Sequence, residues 1–200
     1  MIILFGPAGS GKSLQGQILA EKYDWRWLSV GQLLRDQNDA DIDEKLKGGE
    51  LFDDEFVTGL MHDAMERAMI DNENVVLDGY PRDAWQAQWI IDNGDIEKIS
   101  GAIVLDVPAE ELWKRIEGRG RSDDTEDVVK RRWEIFEQNI YSILPLLESK
   151  NVKITTIDGV GEIPDVTERI EGVLADWGVL EGPVFEASED DRSYERSYGE

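Results

Sequence analysis

The sequence predicts an α/β fold: a five-stranded parallel sheet with helices on both faces. Two observations carry this. Apolar, strand-like runs at 1–5, 74–78, 102–107 and 152–157, with a weaker one at 25–29, alternate with helical stripes. Strands that alternate with helices build parallel sheets covered on both sides. The first run also passes directly into Gly6-Pro7-Ala8-Gly9-Ser10-Gly11-Lys12-Ser13, the G-x-x-x-x-G-K-S phosphate-binding loop, which requires a strand before it and a helix after it.

The elements follow in order. Met1 to Phe5 is the strand that feeds the loop, and Leu14, Ile18 and Leu19 begin the helix behind it. Phe52, Phe56, Leu60, Met61, Ala64, Met65 and Ala68 repeat at helical spacing. So do Val128 or Val129, Trp133, Phe136, Ile140, Ile143, Leu144 and Leu147, over a longer helix. Ile163, Val166, Ile170, Val173 and Trp177 mark the last one. These aromatic and methionine stripes read as core. Residues 181–200 differ: seven acids and few apolar side chains read as a flexible, dispensable tail after one domain over 1–180.

Composition excludes several chemistries. The chain has no cysteine, hence no disulfide, thiolate metal ligand or thiol nucleophile. One histidine, His62, argues against a histidine zinc site or a Ser-His-Asp triad, and its helical setting reads as structural. A net charge of −23, from 44 acidic and 21 basic residues, opposes nucleic-acid backbones and anionic membranes. No apolar run approaches the length of a membrane span, and the apolar start is too short for a signal peptide, so a cytoplasmic protein is expected.

The loop carries the first chemistry. Gly6, Gly9 and Gly11 let the backbone curl with its N–H groups pointing inward at a polyphosphate. The helix that follows adds its positive end. Lys12 reaches the terminal phosphates and the Ser13 hydroxyl can sit on Mg²⁺. Arg115, Arg119, Arg121, Arg131 and Arg132 crowd into a short glycine-containing stretch beside Asp123 and Asp124, the kind of cation cluster that holding polyphosphate needs.

Further segments narrow the reading. Ser29-Val30-Gly31-Gln32-Leu33-Leu34-Arg35 follows the second apolar run. Leu77-Asp78-Gly79-Tyr80-Pro81-Arg82, then Gln86, follows the third. Arg115-x-x-x-Arg119-Gly-Arg121-Ser-Asp123-Asp124 and Arg132 complete the order. With the loop, this series resembles the nucleoside monophosphate kinases, most closely the adenylate kinase family, over residues 1 to about 178.

The resemblance implies a P-loop NTPase-type three-layer fold and transfer of the γ-phosphoryl of ATP to a nucleoside monophosphate, AMP first. It implies donor contacts from Gly6, Pro7, Ala8, Gly9, Ser10, Gly11, Lys12, Ser13, Leu14, Arg115 and Arg119, with Arg115 on the adenine side. Acceptor contacts would come from Ser29, Val30, Gly31, Arg35, Phe52, Gly79, Arg82, Gln86, Arg121 and Arg132. Lys12, Arg82, Arg119, Arg121 and Arg132 would surround the transferring group. Asp78 would meet Mg²⁺ through a water. An acceptor-binding segment at about 30–58 and a short lid at about 119–124 would move. Partners would be ATP and AMP or ADP, with no nucleic acid, membrane or zinc, and the enzyme would be a monomer. Gln86 carries a donor and an acceptor suited to adenine's N1 and amino edge. Val30, where the family usually has threonine, can only shape the pocket, and the Phe52 carbonyl matches an acceptor for the amino group. Ser13-Leu14-Gln15 stands where the family usually has Gly-Thr-Gln, and the lid is shorter than the short family form. The alternatives are a UMP/CMP kinase and, more remotely, a nucleotide-binding protein without catalysis. A GTPase switch would need an Asn-Lys-x-Asp motif, and the chain has no Asn-Lys pair.

Overall fold

The computed structural model describes residues 1–48, 52–71, 74–119 and 124–180; of Gly48 and Arg119 it describes only the backbone. The segments are β1 (Ile2–Phe5), α1 (Lys12–Tyr23), β2 (Arg26–Ser29), α2 (Val30–Arg35), α3 (Ala40–Gly48), α4 (Asp54–Ile70), β3 (Val75–Asp78), α5 (Ala84–Asp92), a 3₁₀ turn (Asp95–Lys98), β4 (Gly101–Asp106), α6 (Ala109–Arg119), α7 (Glu126–Glu148), β5 (Lys153–Asp158) and α8 (Ile163–Asp176). All five strands lie within one residue or so of the runs read from the sequence.

The sheet order is β2-β3-β1-β4-β5, and every pairing is parallel. Alternation along the strands divides the core in two. Ile3, Phe5, Leu28, Val75, Leu77 and Ala102 face Met61 and Met65 of α4, Ile90 of α5, and Ile140, Ile143 and Leu147 of α7. Ile2, Leu4, Val76, Ile103 and Leu105 face Leu19 of α1 and Val166, Ile170 and Leu174 of α8. Both faces are therefore covered, as a parallel sheet requires. Burying one such aliphatic side chain is worth about 1.5–3 kcal/mol, so both layers are needed to hold the sheet.

β1 lies between β3 and β4, and the chain crosses from one side of it to the other between β3 and β4. At such a reversal a crevice opens beyond the carboxyl ends of the strands. The register brings Leu4 and Ser29 level with Asp78, so β1, β2 and β3 release their loops at the same height. Close packing fixes the opposite end: Gly101 has no side chain because the ring of Trp177 fills that space.

Some stripe residues are not core. Phe56 is 43% exposed and Ile163 50% exposed, each in the first turn of its helix, where fewer neighbours cover the apolar face. Trp133 lies outside both core clusters and is bonded to the phosphate loop instead. Residues 181–200 of the expected tail, and 120–123 of the expected lid, lie outside the described residues.

Candidate active site

The phosphate loop is built as its residue types demand. Gly11 caps α1 with φ 92°, and Gly9 has φ 89°, a region that side-chain-bearing residues rarely adopt. A Cβ on Gly9 would meet the Leu112 carbonyl oxygen at 2.8 Å, so α6 presses directly on the loop. Ser10 is buried, and its N–H donates to the Pro7 carbonyl at 3.1 Å. Lys12 Nζ lies 3.4 Å from the same carbonyl, folded over the loop.

A single cleft gathers residues from both halves of the expected site. Gly6, Pro7, Ala8, Lys12 and Ser13 form one wall. Ser29, Gly31, Arg35, Phe52, Asp78, Gly79, Arg82 and Arg132 line it from other elements. Not every expected residue is in the wall. Gly9, Ser10 and Gly11 lie in the loop behind it, Leu14 is 43% exposed on α1, and Val30 is part of the core. Arg115 and Gln86 are held elsewhere. Arg119 ends α6, and Arg121 lies outside the described residues.

Arg82 is placed by the turn after β3. Its Nε donates to the Gly79 carbonyl at 2.8 Å, and its backbone N–H donates to Gln86 Oε1 at 2.8 Å. Arg82 is exposed to solvent and lines the cleft. Loss of solvent lowers its pKa, Asp78 pulls it back up, and the like charges of Arg132 and Arg35 lower it further. An arginine stays protonated regardless; what matters is that three guanidinium groups and Asp78 feel each other across one cleft. Arg132 comes from α7, where Nη1 lies 3.4 Å from Asp124 and Nη2 donates to the Leu46 carbonyl at 3.2 Å.

Asp78 ends β3 at 2% exposure, and its Oδ2 has no hydrogen-bond partner among the described residues. A buried carboxylate oxygen without a donor calls for a cation or water beside it. With the Ser13 hydroxyl in the same cleft, the donor set is hard oxygen, which suits Mg²⁺ carried in by phosphates.

Gln86 is 2% exposed, and both polar atoms of its side chain make a hydrogen bond. Its Oε1 takes the Arg82 N–H, its Nε2 donates to Asp54 Oδ1 at 2.8 Å, and its backbone N–H is capped by Asp83 Oδ1 at 2.8 Å. The Asp83 carboxyl sits above the usual carboxylate range, through burial first; the Gln86 N–H pulls it down and the adjoining Asp54 carboxyl pushes it up. Arg115 is likewise tied: Nε to Glu111 at 2.9 Å, Nη1 to the Ser10 carbonyl at 3.3 Å, Nη2 to the Gly159 carbonyl at 3.0 Å.

Several wall residues carry no motif signal: Gln17, Trp27, Leu46, and Ile135, Phe136, Ile140 and Ile143 of α7. The last group includes stripe residues, since one apolar helix face serves both core and cleft. His62 lies apart, its Nδ1 3.2 Å from the buried Asp95 and its ring edge-on to Trp89, a structural contact as its helical setting suggests.

A strand, a glycine loop ending in Lys-Ser, a helix on its far side and a cation-lined cleft at the sheet's reversal point define a P-loop nucleotide-binding protein. Comparison with known proteins narrows the class. The adenylate kinase family model matches residues 4–152. The adenylate kinase of Mycolicibacterium vanbaalenii is 35% identical over 175 residues, covering 84% of this chain and 95% of the relative. Those of Novosphingobium aromaticivorans and Xanthomonas euvesicatoria are 32% and 33% identical, each over 98% of its own length and 87% and 86% of this chain. The chain belongs to the adenylate kinase family.

Proposed function

We propose that the chain transfers the γ-phosphoryl of ATP reversibly to AMP, giving two ADP. The observation that carries this is the shared cleft. The phosphate loop, Arg35, Arg82 and Arg132 line the same cleft, and the three arginines lie close enough to feel one another's charge. An oxygen of the acceptor phosphate forms the new bond to the γ-phosphorus while the bond to the β-bridging oxygen breaks. The nucleophile is already an anion, so no general base is needed. Catalysis is then positioning and charge stabilisation.

Lys12 and the loop amides hold the donor phosphates. Arg35 and Arg82 clamp the acceptor phosphate, and Arg132 meets the group in flight, joined by Arg119 and Arg121 from the lid. Arg115, oriented by three N–H bonds to the protein, presents its flat face to ATP's adenine. Gln86 keeps one N–H and one lone pair unused after its two internal side-chain bonds, and that pair complements the amino-bearing edge of adenine. Mg²⁺ arriving with ATP supplies neutralisation of the β- and γ-phosphates, with Ser13 and the unpartnered Asp78 Oδ2 as the residues that would hold it and its waters. Zinc has no part in this reading. A cleft built from one chain supports a monomer, and the nucleotide substrates support a cytoplasmic site. Among the described residues no helix is long and apolar enough to cross a membrane.

The family match falls on adenylate kinases, so the UMP/CMP reading is not favoured. The test is purified protein with Mg-ATP and each monophosphate in turn, products separated by chromatography. AMP should exceed CMP and UMP in kcat/KM by at least about tenfold, because a polar edge facing the wrong base is left unpaired. Equal or better turnover of CMP overturns the assignment.

A further inference from the structure

Two carbonyl groups of the phosphate loop are held from outside the cleft. The Ala8 carbonyl accepts the indole N–H of Trp133 at 2.8 Å, and the Ser10 carbonyl accepts Arg115 Nη1 at 3.3 Å. Trp133 belongs to α7 and Arg115 to α6. Trp133 is not in the cleft wall, although Ala8 and the adjacent Arg132 are. Trp113 of α6 braces its ring edge-on, with centroids 6.2 Å apart at 84°.

A peptide group is planar and trans, so its C=O and N–H point in opposite directions. Anchoring the Ala8 carbonyl on a donor outside the cleft turns the Gly9 N–H, in the same plane, the other way. Gly9 is at φ +89°, and its open backbone does not by itself select one tilt of that peptide. An external donor can. We infer that Trp133 is a positioning residue for the donor site: its N–H fixes the Ala8–Gly9 peptide so that the Gly9 amide faces the donor phosphates. The inference rests on the phosphotransfer reading above. It also gives α7 two adjacent tasks, since Arg132 reaches the Leu46 carbonyl of α3 while Trp133 reaches the loop.

The test uses two variants of the whole chain. Trp133→Phe keeps an aromatic ring against Trp113 and deletes the donor. The tryptophan isostere with sulfur in place of the N–H, introduced at the same position, keeps the full shape and deletes only the donor. Mg-ATP affinity is measured by titration calorimetry, KM for ATP and AMP by steady-state turnover, and Tm by thermal scan. In both variants the Kd and KM for ATP should rise about three- to tenfold, the range of one neutral hydrogen bond. KM for AMP should stay within about twofold, as expected of a site that does not share the contact. Unchanged ATP affinity in either variant overturns the inference. So does a parallel rise in both KM values with a fall in Tm, which marks a general structural role. A loss with phenylalanine alone assigns the effect to ring packing and also overturns it. A parent protein that binds Mg-ATP but leaves AMP unphosphorylated refutes the reaction, while the titration still reads the loop.

Discussion

Replacing Arg82 with alanine separates chemistry from folding. Among the described residues the side chain makes one hydrogen bond, from Nε to the Gly79 carbonyl at 2.8 Å, worth about 1 kcal/mol. Removal also gives up the attraction of Asp78 and relieves the repulsion from Arg35 and Arg132, two effects that oppose each other. The bond between the backbone N–H of residue 82 and Gln86 survives, because alanine also has an N–H. The net change in stability is therefore small, and Tm should move by less than about 4 °C for a chain of this size. Activity should respond very differently. A cation on the transferring phosphoryl group is worth about 10³–10⁵ in rate, which is roughly 4–7 kcal/mol at 1.36 kcal/mol per decade. Arg82→Lys should recover only part, since a point charge cannot grip two phosphate oxygens as the planar fork does. The assay is ADP formation from Mg-ATP and AMP, with a thermal scan on the same samples. Activity of Arg82→Ala within about fivefold of the parent would refute the reasoning, as would a Tm loss large enough to explain the defect by unfolding.

Two further outcomes follow from packing and charge. Gly9→Ala places a Cβ 2.8 Å from the Leu112 carbonyl at φ +89°, and backbone strain of about 1–2 kcal/mol plus overpacking of about 1–3 kcal/mol should lower Tm by roughly 4–20 °C. Gly59→Ala, mid-helix and with nothing within 4 Å, should instead raise it slightly, and the reverse order of the two variants sinks the argument. With a net charge of −23, Tm should climb as salt rises from about 0.05 M toward 1 M, where the Debye length falls to about 3 Å; a flat or falling profile counts against self-repulsion.

Much of the fold was legible because its signals are local. Four of the five strands stand out as strand-like runs; the other, Arg26–Ser29, reads more weakly because Arg26 is exposed and Trp27 half-buried at the sheet edge. The helices of 17 and 23 residues repeat their apolar positions often enough to be seen, whereas the six-residue α2 does not. The site was legible as residue types, since glycines, a lysine and arginines at fixed spacings state their chemistry. What they touch was not. Gln86 reads as a base-facing amide, but it spends Oε1 on the Arg82 backbone and Nε2 on Asp54, which lies 32 residues away in the chain. Trp133 reads as core because its spacing is helical; its indole N–H meets the phosphate loop across 125 residues. Such contacts depend on how helices cross the sheet, and no local pattern encodes that.

The charge distribution reconciles a strongly acidic chain with a polyanionic substrate. Glu21, Glu44, Glu55, Glu66, Glu110 and Glu137 are exposed on helix surfaces, while Lys12, Arg35, Arg82 and Arg132 line the cleft. At physiological ionic strength charges farther apart than about 8 Å are largely screened, so a phosphate in the cleft feels the cations at contact more than the acids around it. Among the described residues two carboxylates stand close by, each beside an arginine. Asp78 offsets the crowding at Arg82, and Asp124 pairs with Arg132 at 3.4 Å. On the proposed reading the surplus acid acts on the folded state as a whole, through self-repulsion, and the cleft arginines act on the substrate at short range. Salt should then push the two properties in opposite directions, stabilising the fold while loosening the grip on phosphate.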